Sequence, residues 1–150
     1  MKSLSSAATL CLSLLAILSF SHCKKKNNKR NIVLYNQPLS VIREHIQGKW
    51  QLLYRKRGIA TTTKYSQNNF WEFNNDRIRI STNDIASIDT TIRWVYGHGD
   101  HTNGDFTYVM YFNNRLGYYI NYVVDQIYND TLILHANAAD AFFYRLVKSN

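Results

Sequence analysis

Residues 69–81 read Asn69-Phe70-Trp71-Glu72-Phe73-Asn74-Asn75-Asp76-Arg77-Ile78-Arg79-Ile80-Ser81. Two apolar segments flank Asn74-Asn75-Asp76, residue types that tolerate the left-handed backbone of a tight turn. Ile78 and Ile80 alternate with Arg77 and Arg79, a period of two that sends one set to a core and the other to water. The stretch predicts a β-hairpin. The same period runs on towards the C-terminus. Ile88, Thr90, Ile92, Trp94 and Tyr96 alternate with Asp89, Thr91 and Arg93. Phe106, Tyr108, Met110 and Phe112 alternate with Thr107, Val109 and Tyr111, and Tyr118, Ile120, Tyr122 and Val124 with Tyr119, Asn121 and Asp125. Asn129-Asp130 and residues 137–140 are turns, followed by strands over 131–135 and 141–148. Upstream, 49–57 alternates Trp50, Leu52 and Tyr54 against Gln51, Arg55 and Arg57.

That pattern predicts eight short strands joined mostly by short links, which suit antiparallel neighbours; parallel pairs would need helical crossovers. Closing such a meander removes its two hydrophobic edges. The expected fold is therefore all-β: an eight-stranded antiparallel up-and-down barrel. Ile78, Ile80, Ile92, Trp94, Phe106, Tyr108, Tyr118 and Ile120 are expected to point inward. One short helix precedes it, where Leu39, Ile42 and Ile46 recur at spacings of three and four between Pro38 and Gly48.

The N-terminus reads differently. Lys2 precedes a short apolar run, Ala7 to Phe20, that is too short to span a bilayer as a mature helix. It has the form of a secretion signal over 1–22. Cys11 lies inside it, so Cys23 is the one thiol expected in the mature chain, and no intramolecular disulfide is available. The box Phe20-Ser21-His22-Cys23 resembles the bacterial lipoprotein signal, which is cut before a cysteine that carries diacylglyceryl and acyl chains. That resemblance implies lipid attachment at Cys23 and a membrane anchor. Ser19-Phe20-Ser21 also fits the small-x-small rule of an ordinary secretory signal, which would leave His22 first. Residues 23–36, with Lys24, Lys25, Lys26, Lys29 and Arg30, are expected to be a flexible tether attracted to anionic head groups. Surface-displayed bacterial lipoproteins resemble one another in carrying acidic residues just after the Cys; the lysines here imply, by that comparison, an anchor in the cell envelope that faces the periplasm from the outer membrane. The barrel domain is expected over 37–150. The full chain carries a net charge of +8, but an exported compartment argues against a nucleic-acid partner.

Ile46-Gln47-Gly48-Lys49-Trp50, placed after a short helix, resembles the Gly-x-Trp entry of the lipocalins and of small bacterial lipocalin-like lipoproteins. The last strand, Phe142 to Lys148, is similar to the final strand of that group. The resemblance implies that Gly48 turns the chain from helix into barrel and that Trp50 plugs the closed end. It implies too that Arg145 lies across Trp50 as a structural closure.

No catalytic constellation is visible, and the chain reads as a non-enzyme. No serine stands in a Gly-x-Ser-x-Gly elbow, and there is no Gly-rich phosphate loop. His98-Gly99-Asp100-His101 reads as a polar hairpin loop and not as a metal site, and no cofactor is expected. His135 reads as an outward-facing structural residue. Eleven Tyr, seven Phe and three Trp line the strands, which suits either a filled core or a ligand lumen with hydroxyls available for orientation. Candidate lumen residues are Trp71, Trp94, Tyr108, Met110, Tyr118 and Tyr122. Two functions follow: a lipid-anchored binder of a small, largely apolar ligand, or an envelope protein-interaction module with a solid interior.

Overall fold

The computed structural model describes residues 30–57, 61–65, 68–99, 105–114, 116–138 and 142–149. The signal, Cys23, Asp100 and His101 lie outside these residues. The chain is mostly β, with a single short helix among the described residues. In chain order the elements are β1 (Asn31–Val33), α1 (Leu39–Ile46), β2 (Gly48–Arg57), β3 (Thr61–Lys64), β4 (Asn69–Asn74), β5 (Arg77–Thr82) and β6 (Ile85–Thr91). They continue with β7 (Arg93–His98), β8 (Phe106–Asn113), β9 (Tyr119–Tyr128), β10 (Thr131–Ala136) and β11 (Phe142–Lys148).

Helix α1 starts at Pro38, whose missing N–H costs nothing at a helix entry. It buries Ile42 and Ile46 completely. Arg43 and His45 fall in its last turn, where cations suit the helix dipole. Gly48 then takes φ +100°, a conformation that a side chain makes strained. The expected helix and its glycine exit are both found.

The strands form one curled antiparallel sheet, a half-barrel ordered β6-β5-β4-β2-β11-β10-β9-β8-β7. The first and last strands of the meander, β2 and β11, pair as expected. The tight turns are also where the sequence puts them: Asn75 has φ 52°, and Asn129 and Asp130 have φ 51° and 59°.

Four features depart from the expectation. First, the strand expected from Ile88 through Tyr96 is two strands. β6 pairs with β5 at one edge of the sheet, while β7 pairs with β8 at the opposite edge. Ile92 alone joins them, its N–H donating to the Asp76 carbonyl at 2.6 Å. A surface cavity of about 230 Å3 lies at this seam, against Thr90, Arg93 and Phe112. Asp76 in the β4–β5 turn also accepts from the Trp94 indole N–H at 3.0 Å and pairs with Arg43 of α1 at 2.7 Å.

Second, the segment assigned to the tether is not all tether. Asn31–Val33 pairs with β9 beyond the point where β8 stops, and Leu34 enters the core. The physical reason is the unpaired edge of the long strand β9, which β1 satisfies. Leu34, fully buried, and Ile32, packed on the core, supply the burial, while Val33 stays exposed.

Third, β2 and β9 each contain a bulge. Tyr54 pairs with Arg145 and Leu52 with Leu146, leaving Leu53 unmatched; the β9 counterpart is Asp125. A bulge turns the following residues to the other face.

Fourth, Phe106 and Tyr118 do not point into the core: they are 52% and 68% exposed. Phe106 opens β8 at the flared β7–β8 edge. Tyr118 sits in a turn whose N–H groups are held by the Asn114 side chain, so strand alternation does not reach it. Ile78, Ile80 and Ile92 are buried, and Trp94, Tyr108 and Ile120 pack on the core, as expected.

Candidate ligand-binding site

The bulge at Leu53 creates the site. Without it Arg55 would share a face with Gln51 and point to solvent. With it, the guanidinium lies 5.0 Å from the Phe142 ring centroid and 5.9 Å from that of Tyr65. Arg55 stands seven residues from the helix exit at Gly48, roughly 23 Å along an extended strand. Tyr144 is its cross-strand partner on β11.

Around Arg55 the aromatic side chains form a continuous cluster. Tyr144 meets Tyr122 edge-on at 5.1 Å, and Trp71 lies 5.4 Å from Tyr122 and 5.6 Å from Tyr144. Phe112 stacks on Tyr122 at 5.8 Å. Edge-on and offset contacts of this kind add to the stabilisation from burial alone. The cluster is polar as well as aromatic. Burial pushes the Tyr122 phenol far above its ordinary value of 10.0, helped by Tyr144, which is charge-coupled and hydrogen-bonded to it. Burial also raises Tyr65, against an opposing pull from Arg55. Among the described residues, the buried Arg55 Nε and Trp71 Nε1 have no hydrogen-bond partner.

These shifts have a measurable consequence. An unfolded tyrosine ionises from about pH 10. Tyr122 stays neutral in the fold at that pH, so the unfolded chain holds fewer protons and stability falls as pH rises past 10. Absorbance at 295 nm should show the Tyr122 phenol ionising only together with loss of the near-ultraviolet dichroism of the folded domain. Full tyrosine ionisation in a still-folded protein would contradict the burial.

Of the candidate lumen residues, the structure brings four into one continuous set. Trp71 and Tyr122 are in the cluster. Met110 is the cross-strand partner of Tyr122, and Trp94 is that of Met110. Met110 is fully buried, and the Trp94 indole is committed to Asp76. Tyr108 packs at the edge of the same core and also meets Tyr96 at 5.0 Å, with Phe106 and His98 continuing that rim group. Tyr118 is exposed and joins neither. Arg55, Tyr65 and Tyr144 belong to the site and were not among the candidates. The signal for Arg55 was the adjacent apolar pair Leu52-Leu53, which breaks the alternation where the bulge forms.

The closure also differs from the expectation. Trp50 is buried, and its indole N–H donates to the Ile46 carbonyl at 2.7 Å. Arg145 does not cover it: the bulge pairs Arg145 with Tyr54, and its guanidinium rests 5.6 Å from that ring on the outer face. Lys148, the cross-strand partner of Trp50, takes the position instead, with Nζ 4.4 Å from the ring centroid. Its ammonium also donates to the Gln47 carbonyl, and burial lowers its pKa.

A second concavity, of about 370 Å3, lies on the outer face of β2, β11, β10 and β9, against Tyr54, Lys56, Phe143 and Arg145. At its floor His135 pairs with Asp125 at 3.2 Å and packs edge-on against Phe143 at 4.1 Å. His135 thus faces away from the core, on the face the alternation assigns to it.

No protein-family model, curated protein or solved structure matches the chain.

Proposed function

We propose that this chain is an exported lipoprotein whose lipocalin-like domain binds a small, largely apolar ligand. Cys23 carries the lipid and holds the protein at the outer membrane, facing the periplasm. Counting β6, Ile92 and β7 as one bent strand gives eight strands, the number a lipocalin-type barrel has, and this count supports the reading. The observation that carries the reading is the interior cluster of Trp71, Tyr122 and Tyr144, with aromatic walls and unpartnered donors at Trp71 and Arg55. Ligand sites combine apolar lining with a few convergent polar groups in this way. The domain has no catalytic role in this reading.

A second reading has a specific observation in its favour. The outer-face groove, with about 370 Å3 of space, is lined by aromatic, charged and polar side chains of β2, β9, β10 and β11. A protein-interaction module with a solid barrel would use such a face.

Mass spectrometry of the native protein extracted from membranes tests both. The expected result is an N-terminal peptide that begins at Cys23 and carries diacylglyceryl and acyl mass, with a small molecule released on denaturation. A lipid-free N-terminus at His22 would remove the anchor. Lipid at Cys23, no released molecule and a co-purifying envelope protein would favour the second reading.

A further inference from the structure

We infer that the ligand carries an anionic head group, a carboxylate, received by the Arg55 guanidinium and the Trp71 indole N–H inside the half-barrel. This rests on the reading that the interior binds a ligand, and adds the chemistry of its head.

Charge balance is the first support. Arg43 and Arg77 each have a carboxylate at 2.7 Å and 2.6 Å, and both are surface pairs. Arg55 points into the aromatic interior, yet among the described residues no carboxylate pairs with it. Arg55 is half-buried, and its Nε is the part withdrawn from water without an acceptor.

The orphaned donors are the second. Trp71 is only 4% exposed, and its Nε1 is buried with no acceptor among the described residues; Arg55 Nε is in the same condition. Buried N–H groups are nearly always paired in folded proteins. Both missing partners are acceptors. Tyr144 links them, as the cross-strand partner of Arg55 and a ring neighbour of Trp71. The Tyr122 hydroxyl is already engaged with Tyr144.

Shape is the third. The guanidinium is a planar fork that matches a carboxylate with two parallel hydrogen bonds. Tyr65, Phe142, Tyr122 and Tyr144 offer apolar walls for the rest of the molecule. The fitting class is a monocarboxylate with an apolar or aromatic body, and a bare anion would leave those walls unused.

The test is calorimetric binding of 4-phenylbutanoate and 4-phenylbutan-1-ol to the membrane-extracted mature protein, with empty micelles as blank. The two probes differ in the head group alone. The acid should bind about ten-fold tighter than the alcohol or better, as charge-assisted hydrogen bonds imply. Arg55→Gln and Trp71→Phe, each checked for native circular dichroism, should each weaken acid binding more than alcohol binding and so erase most of that preference. Acetate should fail to compete at equal concentration. Equal binding of acid and alcohol to the unaltered protein overturns the carboxylate assignment and leaves the interior ligand site standing. Acetate competing as well as the acid overturns it in favour of a simple anion site. Binding of neither probe overturns the interior site and this inference with it.

Discussion

Leu34→Ala should lower the stability of the domain by about 2–5 kcal/mol, the range for truncating a fully buried leucine. Leu34 is completely excluded from solvent within the main core. Its N–H donates to the Asp125 carbonyl at 2.7 Å, and the neighbouring Tyr35 N–H reaches the same oxygen at 3.0 Å. The residue is therefore fixed by backbone as well as by packing, and the space it leaves has little freedom to collapse. Urea denaturation of the purified protein measures the effect as a shift in midpoint at unchanged slope. A loss below about 0.5 kcal/mol, the range of an ordinary surface change, would return residues 31–36 to the tether. Deleting 30–36 should cost more than the point change, since it also strips β1 from the edge of β9.

Trp50→Ala should be at least as damaging, about 3–5 kcal/mol. Trp50 sits where α1 enters the sheet, pairs across strands with both Trp71 and Lys148, and holds the last helical carbonyl region through Ile46. Trp50→Phe isolates the hydrogen bond. It keeps most of the packing but leaves the Ile46 carbonyl without its donor, for about 1–3 kcal/mol. Arg145→Ala provides the contrast. Its guanidinium is on the outer face over Tyr54, so its loss should lie within about 1 kcal/mol. Thermal or urea unfolding of the three variants ranks them. An Arg145→Ala loss matching that of Trp50→Phe would restore the arginine closure that the lipocalin resemblance implies.

Much of the architecture was legible because local chemistry and the final fold agree. Ile42 and Ile46 read as one helical face and are buried as one. Asn75, Asn129 and Asp130 read as turn residues and have the positive φ values that make them so. The alternation of Ile78 and Ile80 with Arg77 and Arg79 survives unchanged. What was not legible depends on where a strand runs out of partners. Strict alternation carries no mark at Ile92 for a chain that leaves one edge of a sheet and starts the other. The short Ile32-Val33-Leu34 run acquires a role because β9 outlasts β8. The site was half visible for the same reason. Trp71 and Tyr122 follow from their parity on regular strands, whereas Arg55 changes face at a bulge, and only the doubled Leu52-Leu53 hints at it.

The seam at Ile92 gives the molecule one soft mechanical direction. Its two free edges belong to consecutive strands, so a widening of the gap between them breaks no strand ladder and asks for rotation about a single residue. Resistance comes instead from a latch at Asp76, whose backbone grips Ile92 and whose carboxylate grips Trp94 and Arg43. That latch ties the seam to the helix at the same point. The half-barrel is thus built like a cuff with a clasp: stiff around most of its girth, and free to change circumference where one aspartate holds it shut.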